Sequence, residues 1–201
     1  MKIELSDRFM NEDKMYTYIE NFAIAKQMNQ TIKALPFARE KHEGQYRRGI
    51  GKIPYIYHPL AVACHALALG FENDSLIATA LLHDVCEDCG VTAEELPVND
   101  ETKQAVSLLT KNSNTALETY FYDISQNVTA TIVKLLDRCN NVSGMSAGFD
   151  KEKLVRYIEE TEKYFYPLLQ YAEEKYPQYS NQLILIKYHI SSVVESIKHQ
   201  L

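Results

Sequence analysis

The amino-acid sequence predicts an all-α fold. Apolar residues recur at helical spacing through most of the chain, and no run of alternating apolar and polar residues is convincing as a strand. Only 7 glycines and 6 prolines interrupt the 201 residues. Since no linker composition and no internal repeat is visible, we expect residues 1–201 to form one domain around a single core.

The N-terminal part of the chain predicts two helices followed by a loop. Residues 15–29 and 31–43 are amphipathic, and Pro36 in the second segment predicts a kink or a restart. Residues 44–57 (GQYRRGIGKIPYIY) then break the helical pattern with three glycines and three basic residues. This composition favours an exposed loop or a short hairpin.

The next two helices have clear start and stop signals. His58-Pro59 opens a helix, because proline is favoured at the first helical position, and Gly70 predicts its end near Leu69. Asn73 or Asp74 caps the following helix, which we expect to continue to residue 88.

The remaining segments are also predicted to be helical. Thr92 and Glu95 form the pattern of a capping box on a short helix. Longer helices are expected at residues 100–111, 115–126, 128–142, 150–175 and 180–199.

The charge balance restricts the classes of partner. The chain carries 21 Lys and Arg against 27 Asp and Glu, a formal net charge of -6. General binding to nucleic acid or to an anionic membrane is therefore not expected. An anionic ligand would need a local group of basic residues or a metal ion.

No feature of the sequence predicts export or membrane insertion. Apolar runs fall well short of the roughly 20 residues of a membrane span, and the N-terminus (MKIELSDRFMNEDK) lacks the apolar core of a signal peptide. We therefore expect a cytoplasmic protein. Cys86 and Cys89 form a CxxC, but no second CxxC or paired histidine motif completes a zinc site. The four cysteines are expected to pack as small buried or half-buried residues.

Residues 81–88 (LLHDVCED) place four polar side chains at the end of an apolar helix. His83 and Glu87 are four positions apart, as are Asp84 and Asp88, so all four occupy one side of the last turn. Carboxylates at a helix C-terminus oppose the macrodipole, at a cost of tenths of a kcal/mol to about 1 kcal/mol. Their position therefore favours a functional role over a solvated helix end.

A His-Asp pair binds a divalent ion only when further ligands come from elsewhere in the chain. His58 lies 25 positions before His83, and Asp137 lies 53 positions after Asp84, following another apolar helical run. Histidine and carboxylate ligands together suit Mn²⁺, Fe²⁺ or Zn²⁺. A polar helix end without a metal is the alternative for the His-Asp pair, and a helix cap is the alternative for His58.

This H…HD…D pattern resembles the signature of the HD phosphohydrolase superfamily. More narrowly, FAREKHEGQYRRGIGKIPYIYHPLAVA, ALLHDVCED, LLTK, VKLLDRCNN and EETEKYFYPL resemble successive blocks of RelA/SpoT-type alarmone hydrolase domains. The likeness covers about residues 34–170, with residues 171–201 as a C-terminal helical extension. Since no synthetase domain follows in this sequence, we expect the chain to resemble the small, single-domain members of this family.

The resemblance implies the HD-domain fold and a set of site residues. One metal ion, most often Mn²⁺, would be held by His58, His83, Asp84 and Asp137. Glu87 and Asp88 would orient or deprotonate the attacking water.

Arg47, Arg48 and Asn141 match family positions that contact the nucleotide. For the arginines the alternative is surface charge, and for Asn141 it is a helix C-cap. Lys134 and Arg138 would add local positive charge. His65 is expected to be an ordinary core or surface histidine.

The implied reaction is hydrolysis of the 3′-pyrophosphate of guanosine tetra- or pentaphosphate, which gives GDP or GTP and pyrophosphate. Three alternatives stay open: another phosphorylated nucleotide, such as an adenine alarmone, NADPH or a 3′-phosphonucleotide; a catalytically silent nucleotide sensor; and a helical scaffold without a metal. The expected partner is a small purine nucleotide, and the sequence does not predict an oligomeric state.

Three departures from the family pattern affect the expected substrate. The loop after Arg47 is two residues longer, the family's histidine in D-R-x-H-N is Asn140, and VSGM follows Asn141. In the family these positions lie near the base and the ribose. We therefore expect them to change base preference and to leave the metal site intact.

Overall fold

The protein folds into a layered array of helices, seen here in a computed structural model that describes residues 11–47 and 52–201, apart from the side chain of residue 147. In chain order the helices are α1 (Glu12–Ala25), α2 (Asn29–Lys41), α3 (Tyr57–Ala68), α4 (Asp74–Leu82), α5 (Val85–Asp88), α6 (Asp100–Leu109), α7 (Leu117–Ser125), α8 (Val128–Gly148), α9 (Lys151–Glu160), α10 (Tyr166–Lys175) and α11 (Ser180–Lys198). Over these residues, extended pairing is limited to an antiparallel bridge between Tyr46 and Pro54. The all-α prediction is confirmed.

Helix starts follow the chemistry of the caps. A side-chain oxygen at the N-cap accepts a backbone N–H from the first turn and so satisfies a donor that has no partner within the helix. The capping residues are Asn11, Asn73, Asn99, Asn127 and Asp150. The predicted capping box is also present, with Thr92 and Glu95 bracketing a 3₁₀ turn at Ala93–Glu95.

Helix α4 lies at the centre of the core. All its residues from Ser75 to Leu82 are buried, and it packs against α2, α3, α6 and α8. Helix α11 packs against α8 and α10. The central helix therefore delivers its C-terminal end, where His83 and Asp84 follow, to a place enclosed by its neighbours.

The predicted single helix from residue 74 to residue 88 is wrong, because the helix is interrupted at the His-Asp pair. Helix α4 ends at Leu82, and the short α5 begins at Val85. The Nδ1 of His83 donates to the carbonyl oxygen of Ala80 at 2.8 Å. A continuing helix would pair this carbonyl with the backbone N–H of residue 84, so the side chain competes with the helix.

Three other boundaries differ from the predictions. Helix α2 runs through Pro36 without restarting. Helix α8 continues to Gly148, six residues beyond the expected end at residue 142. The predicted helix at residues 150–175 contains a π-helical turn, Thr161–Phe165, just before Pro167, which has no N–H to continue an α-helical ladder.

The described residues of the segment between α2 and α3 pair on either side of residues 48–51, as expected for a short hairpin. The backbone N–H of Arg47 donates to the Ile53 carbonyl at 2.9 Å, and that of Tyr55 donates to the Gln45 carbonyl at 2.9 Å. Arg48, one of the predicted nucleotide contacts, lies outside the described residues. The hairpin brings Arg47 and Tyr55 next to the start of α3.

Candidate metal centre

Three helices bring the four predicted metal ligands together. His58 lies in the first turn of α3, His83 and Asp84 follow the last turn of α4, and Asp137 lies in the middle of α8. His58, His83 and Asp137 are buried, and Asp84 is partly exposed. The cluster thus opens to solvent on the side of Asp84.

The possible ligand atoms of these side chains face one another. The Nε2 of His58 lies 3.1 Å from Asp137 Oδ1 and 3.5 Å from Asp84 Oδ2. The Nε2 of His83 lies 3.2 Å from Asp84 Oδ2 and 3.9 Å from Asp137 Oδ1, and the two Nε2 atoms are 3.2 Å apart. These separations match ligands that share one ion with bonds of about 2.0–2.2 Å.

The Nδ1 atom of each histidine, which faces away from the cluster, already makes a hydrogen bond, and this bond fixes the tautomer of the neutral ring. The Nδ1 of His83 donates to the Ala80 carbonyl oxygen at 2.8 Å. The Nδ1 of His58 lies 2.6 Å from the side-chain oxygen of Asn140, which accepts its proton. In the neutral form of each ring, Nε2 is thereby the acceptor and points into the cluster, as metal-binding histidines require.

The electrostatics of the cluster favour a bound cation. Burial alone would lower the pKa of His83, but the adjacent Asp84 carboxylate outweighs burial and raises it to about 9. Burial would likewise raise the pKa of Asp84, but His83 holds it well below its usual range. Two carboxylates and two inward Nε2 atoms therefore attract a proton or a metal ion into the space between them.

Lys134 supplies a partly buried positive charge behind Asp137. Its Nζ lies 3.5 Å from Asp137 Oδ2. Burial alone would lower the pKa of Lys134, but Asp137 raises it above its usual value, and Lys134 in turn helps to keep the pKa of Asp137 low. Asp137 therefore stays ionised with one oxygen held by Lys134 and the other directed at the histidines.

Tyr55 is a site residue to which sequence reasoning assigned no role. Its hydroxyl donates to Asp84 Oδ2 at 2.7 Å. Burial raises the pKa of Tyr55, and the carboxylates of Asp84 and Asp88 raise it further, so the phenol remains a donor. Its position three residues before His58 was the available signal, since both residues fall at the junction between the hairpin and α3.

The two predicted catalytic carboxylates have different surroundings. Both Glu87 and Asp88 are exposed on α5. Asp88 is near enough to Tyr55 for its carboxylate to help raise the pKa of the Tyr55 hydroxyl, whereas Glu87 Oε2 accepts the backbone N–H of Lys111 at 3.2 Å. Asp88 thus acts on a residue bonded to the cluster, and Glu87 bonds to the segment after α6.

Arg47 is bonded to a pair of asparagines beside the cluster. Its Nη1 donates to Asn140 Oδ1 at 3.0 Å, and its Nη2 donates to Asn141 Oδ1 at 2.8 Å. The Nδ2 of Asn141 donates to Asp137 Oδ1 at 2.5 Å. The half-buried guanidinium is therefore one residue away from two of the candidate metal ligands.

Asn140, which the family resemblance places near the base and the ribose, also contacts a candidate metal ligand. Asn140 bonds directly to His58, because it lies three positions after Asp137 and so shares its face of α8. The helix C-cap alternative for Asn141 is wrong, since α8 continues for seven more residues. Asn140 is thus part of the frame that orients a candidate ligand.

Arg138 faces away from the cluster, so the expectation that it adds charge there is not met. Its guanidinium carbon lies 3.9 Å from the ring centre of Tyr157 and 3.7 Å from that of Phe165. It also bonds to Glu160 and to Thr161 Oγ1. These contacts join α8 to the π-helical turn and fix the rotation of the helix that carries Asp137.

Comparison with known proteins gives several relatives. The chain is 34% identical over 146 residues to a guanosine-3′,5′-bis(diphosphate) 3′-pyrophosphohydrolase of Aquifex aeolicus (strain VF5), covering 68% of this chain and 20% of the relative. It is 31% identical over 169 residues to a protein of the same name from Vibrio cholerae, covering 78% of this chain and 23% of the relative. It is 33% identical over 149 residues to the "GTP pyrophosphokinase rsh" of Brucella abortus (strain 2308), covering 68% of this chain and 19% of the relative.

The chain is a relative of the SpoT/RelA-type hydrolases. The resemblance predicted from the sequence is thereby confirmed. This chain spans about a fifth of the length of the curated SpoT/RelA-type relatives that it matches. No family model matches it.

A solved structure supports the same fold. It is described as "A metazoan ortholog of SpoT hydrolyzes ppGpp and plays a role in starvation responses", with a TM-score of 0.65 and 18% identity. The match covers 83% of this chain and 94% of the solved chain. The predicted HD-domain architecture of SpoT-type hydrolases is therefore confirmed as the fold of this protein.

The residues present fit a divalent metal ion. His58, His83 and Asp84 offer ligand atoms that all lie within 4.8 Å of one another, and Asp137 Oδ1 lies beside both histidines. Two neutral imidazoles with two ionised carboxylates form a mixed nitrogen and oxygen donor set.

The part of the chain that the structure describes contains no helix with the length and hydropathy needed to cross a bilayer.

Proposed function

We propose that this protein is a cytoplasmic, Mn²⁺-dependent hydrolase that removes the 3′-pyrophosphate of guanosine tetra- or pentaphosphate and releases GDP or GTP. The observation that supports this most strongly is the convergence of His58, His83, Asp84 and Asp137 beside Arg47. The names of the relatives supply the substrate.

The four converging side chains would hold the ion. His58 and His83 offer Nε2, while Asp84 and Asp137 offer one carboxylate oxygen each. When bound, a divalent ion supplies Lewis acidity toward a phosphoryl oxygen and the attacking water. Two hard carboxylates with two imidazoles suit Mn²⁺, and they would also accept Fe²⁺ or Zn²⁺.

The exposed carboxylates of α5 would handle the water. Asp88, whose carboxylate acts on the pKa of Tyr55 beside the cluster, would take the proton of the attacking water. Glu87, held by the Lys111 backbone, would orient that water from the other side. Tyr55 remains protonated and keeps the Asp84 oxygen turned toward the ion.

Arg47 and Asn141 would bind the nucleotide. Two of the five N–H donors of Arg47 bond to the asparagines, and the others remain for phosphate oxygens or for stacking on a purine. Arg48 would join them. The acidic chain thus binds an acidic ligand through local charge, as the sequence requires.

The reaction is tested by incubating the protein with Mn²⁺ and a panel of purine nucleotides, and separating the products by charge. We expect pyrophosphate together with GDP or GTP, and no product without a divalent ion. A panel in which no nucleotide reacts would contradict the proposal and would support a silent nucleotide sensor.

A second substrate class is favoured by Asn140. Because this residue replaces the family's histidine and bonds both His58 and Arg47, it changes the hydrogen bonding beside the base-binding loop. An adenine alarmone, a 3′-phosphonucleotide, or NADPH, which carries its extra phosphate on the 2′ oxygen, is the corresponding candidate. Orthophosphate released from NADPH, without pyrophosphate from the guanosine alarmones, would favour this alternative.

A further inference from the structure

A second group of metal-binding side chains lies on the opposite side of α8. It consists of His65 on α3, Cys139 on α8 and His189 on α11. One ligand atom from each lies within 4.8 Å of the other two. Cys139 is buried and both histidines are half-buried, so the group borders solvent. We refer to these three residues as the thiol cluster.

Hydrogen bonds prepare His189 to act as a ligand. The hydroxyl of Ser143 donates to the Cys139 carbonyl oxygen at 2.8 Å, so its oxygen is left to accept. The Nε2 of His189 lies 2.8 Å from that oxygen and donates to it. The Nδ1 of His189 therefore carries the free lone pair. This is the arrangement in which a second polar group fixes the tautomer of a metal-binding histidine.

The second histidine is also held neutral. Burial and, to a smaller extent, the neighbouring His189 lower the pKa of His65 to about 4. At neutral pH, His65 presents a lone pair, and its ring centre lies 5.5 Å from that of His189.

We propose that the thiol cluster is a binding site for Zn²⁺, separate from the phosphohydrolase site. A thiolate with two imidazoles is a borderline-soft donor set, which prefers Zn²⁺ to Mn²⁺. Tetrahedral zinc, with bonds of about 2.3 Å to sulfur and 2.0–2.1 Å to nitrogen, places its ligands about 3.3–3.7 Å apart. Small side-chain rotations would bring the three atoms to these separations. The thiol proton leaves to solvent, and water takes the fourth position.

The ion would tie the C-terminal helix to the helices of the catalytic site. His58 and His65 are seven positions apart on α3, which corresponds to about 10 Å along the helix axis. Asp137 and Cys139 are two positions apart on α8 and point to different sides. The two ions would therefore bind independently, and α11 would gain a bond to α3 and α8.

Cobalt titration of the full chain, stripped of metal by a chelator, tests the site. We expect two equivalents of Co²⁺ to bind, one of them with a thiolate-to-cobalt charge-transfer band. Cys139→Ser should abolish this band and one equivalent. The double variant Cys86→Ser/Cys89→Ser should keep the band, which excludes the CxxC pair as its source. Asp84→Ala should keep the band while losing the other equivalent.

Because Cys139 is buried and Cys139→Ser could misfold, a second variant is made at the half-exposed His189. His189→Gln should weaken zinc binding at this site at least tenfold. Added to Asp84→Ala, it should also remove the rise in Tm that Zn²⁺ gives to Asp84→Ala alone. Binding of a single equivalent without a charge-transfer band in the wild-type protein would overturn the proposal. A band that persists in both Cys139→Ser and His189→Gln would overturn it as well. None of these readouts depends on nucleotide hydrolysis.

Discussion

The four candidate metal ligands and the two carboxylates beside them, which we call the rim, have contrasting surroundings. His58, His83 and Asp137 are buried, and each has a second bond that fixes its direction. The rim carboxylates, Glu87 and Asp88, are exposed on a helix of four residues. The positions of the candidate metal ligands are therefore fixed by packing and hydrogen bonds, whereas the proposed roles of Glu87 and Asp88 belong to solvent-exposed side chains. Substitutions in the two regions should therefore have separable effects.

The largest expected effect is in the cluster itself. Asp84→Ala removes one ligand and the acceptor of the Tyr55 hydroxyl, and it leaves Asp137 as the carboxylate that still neighbours the two histidines. We expect turnover to fall to background and Mn²⁺ content to fall with it. Metal analysis and product release measured on one preparation test this. Full activity in the variant would refute the assignment of the site.

On the rim, Asp88→Asn should lower kcat without removing the metal. Replacing a general base costs about 10²–10⁴-fold in rate. Glu87→Gln is the matched control, because its amide oxygen still accepts the Lys111 N–H, and its effect should be much smaller. Equal losses in the two variants would contradict the assignment of the general base to Asp88.

Arg47→Ala should raise KM with little change in metal content. Loss of charge-assisted bonds to the nucleotide is expected to cost about 1.5–3 kcal/mol, which is roughly 10–100-fold in KM. Arg47→Lys keeps the charge and should recover part of the affinity. If Arg47→Ala lost its Mn²⁺, the guanidinium would instead be needed to hold Asn140 and His58 in place.

The smallest expected effect is the pH dependence of Mn²⁺ affinity, which should depend on the candidate ligands and not on the rim carboxylates. Because the pKa of metal-free His83 is raised to about 9, binding of Mn²⁺ must displace a proton, and affinity should fall about tenfold per unit below pH 9. The same raised pKa stabilises the metal-free fold fully below about pH 6.5, and this contribution is lost as the pH rises through about 9. Titration calorimetry at several pH values measures the slope, which Asp88→Asn should leave unchanged.

The sequence predicted the helices and the four converging residues, but not how they are held. Local context made His58 and Asp137 candidates, and the resemblance to the HD signature implied the full set of ligands. The contact between Asn140 and His58 could not be predicted, since it joins α8 to α3 across 82 positions. The interruption after Leu82 was missed for a similar reason. It depends on a side-chain bond that hydrophobic periodicity does not reveal.

Helix α8 carries a ligand of each of the two proposed ion sites. Asp137, Cys139, Asn140 and Asn141 lie within five consecutive positions of one uninterrupted helix. Adding one residue near its start, at Thr129 for instance, would turn all four side chains by about 100° relative to α3 and α4. Both ions would be lost in a single step, although no ligand had been replaced. An insertion beyond Gly144 would leave both sets of ligands in register.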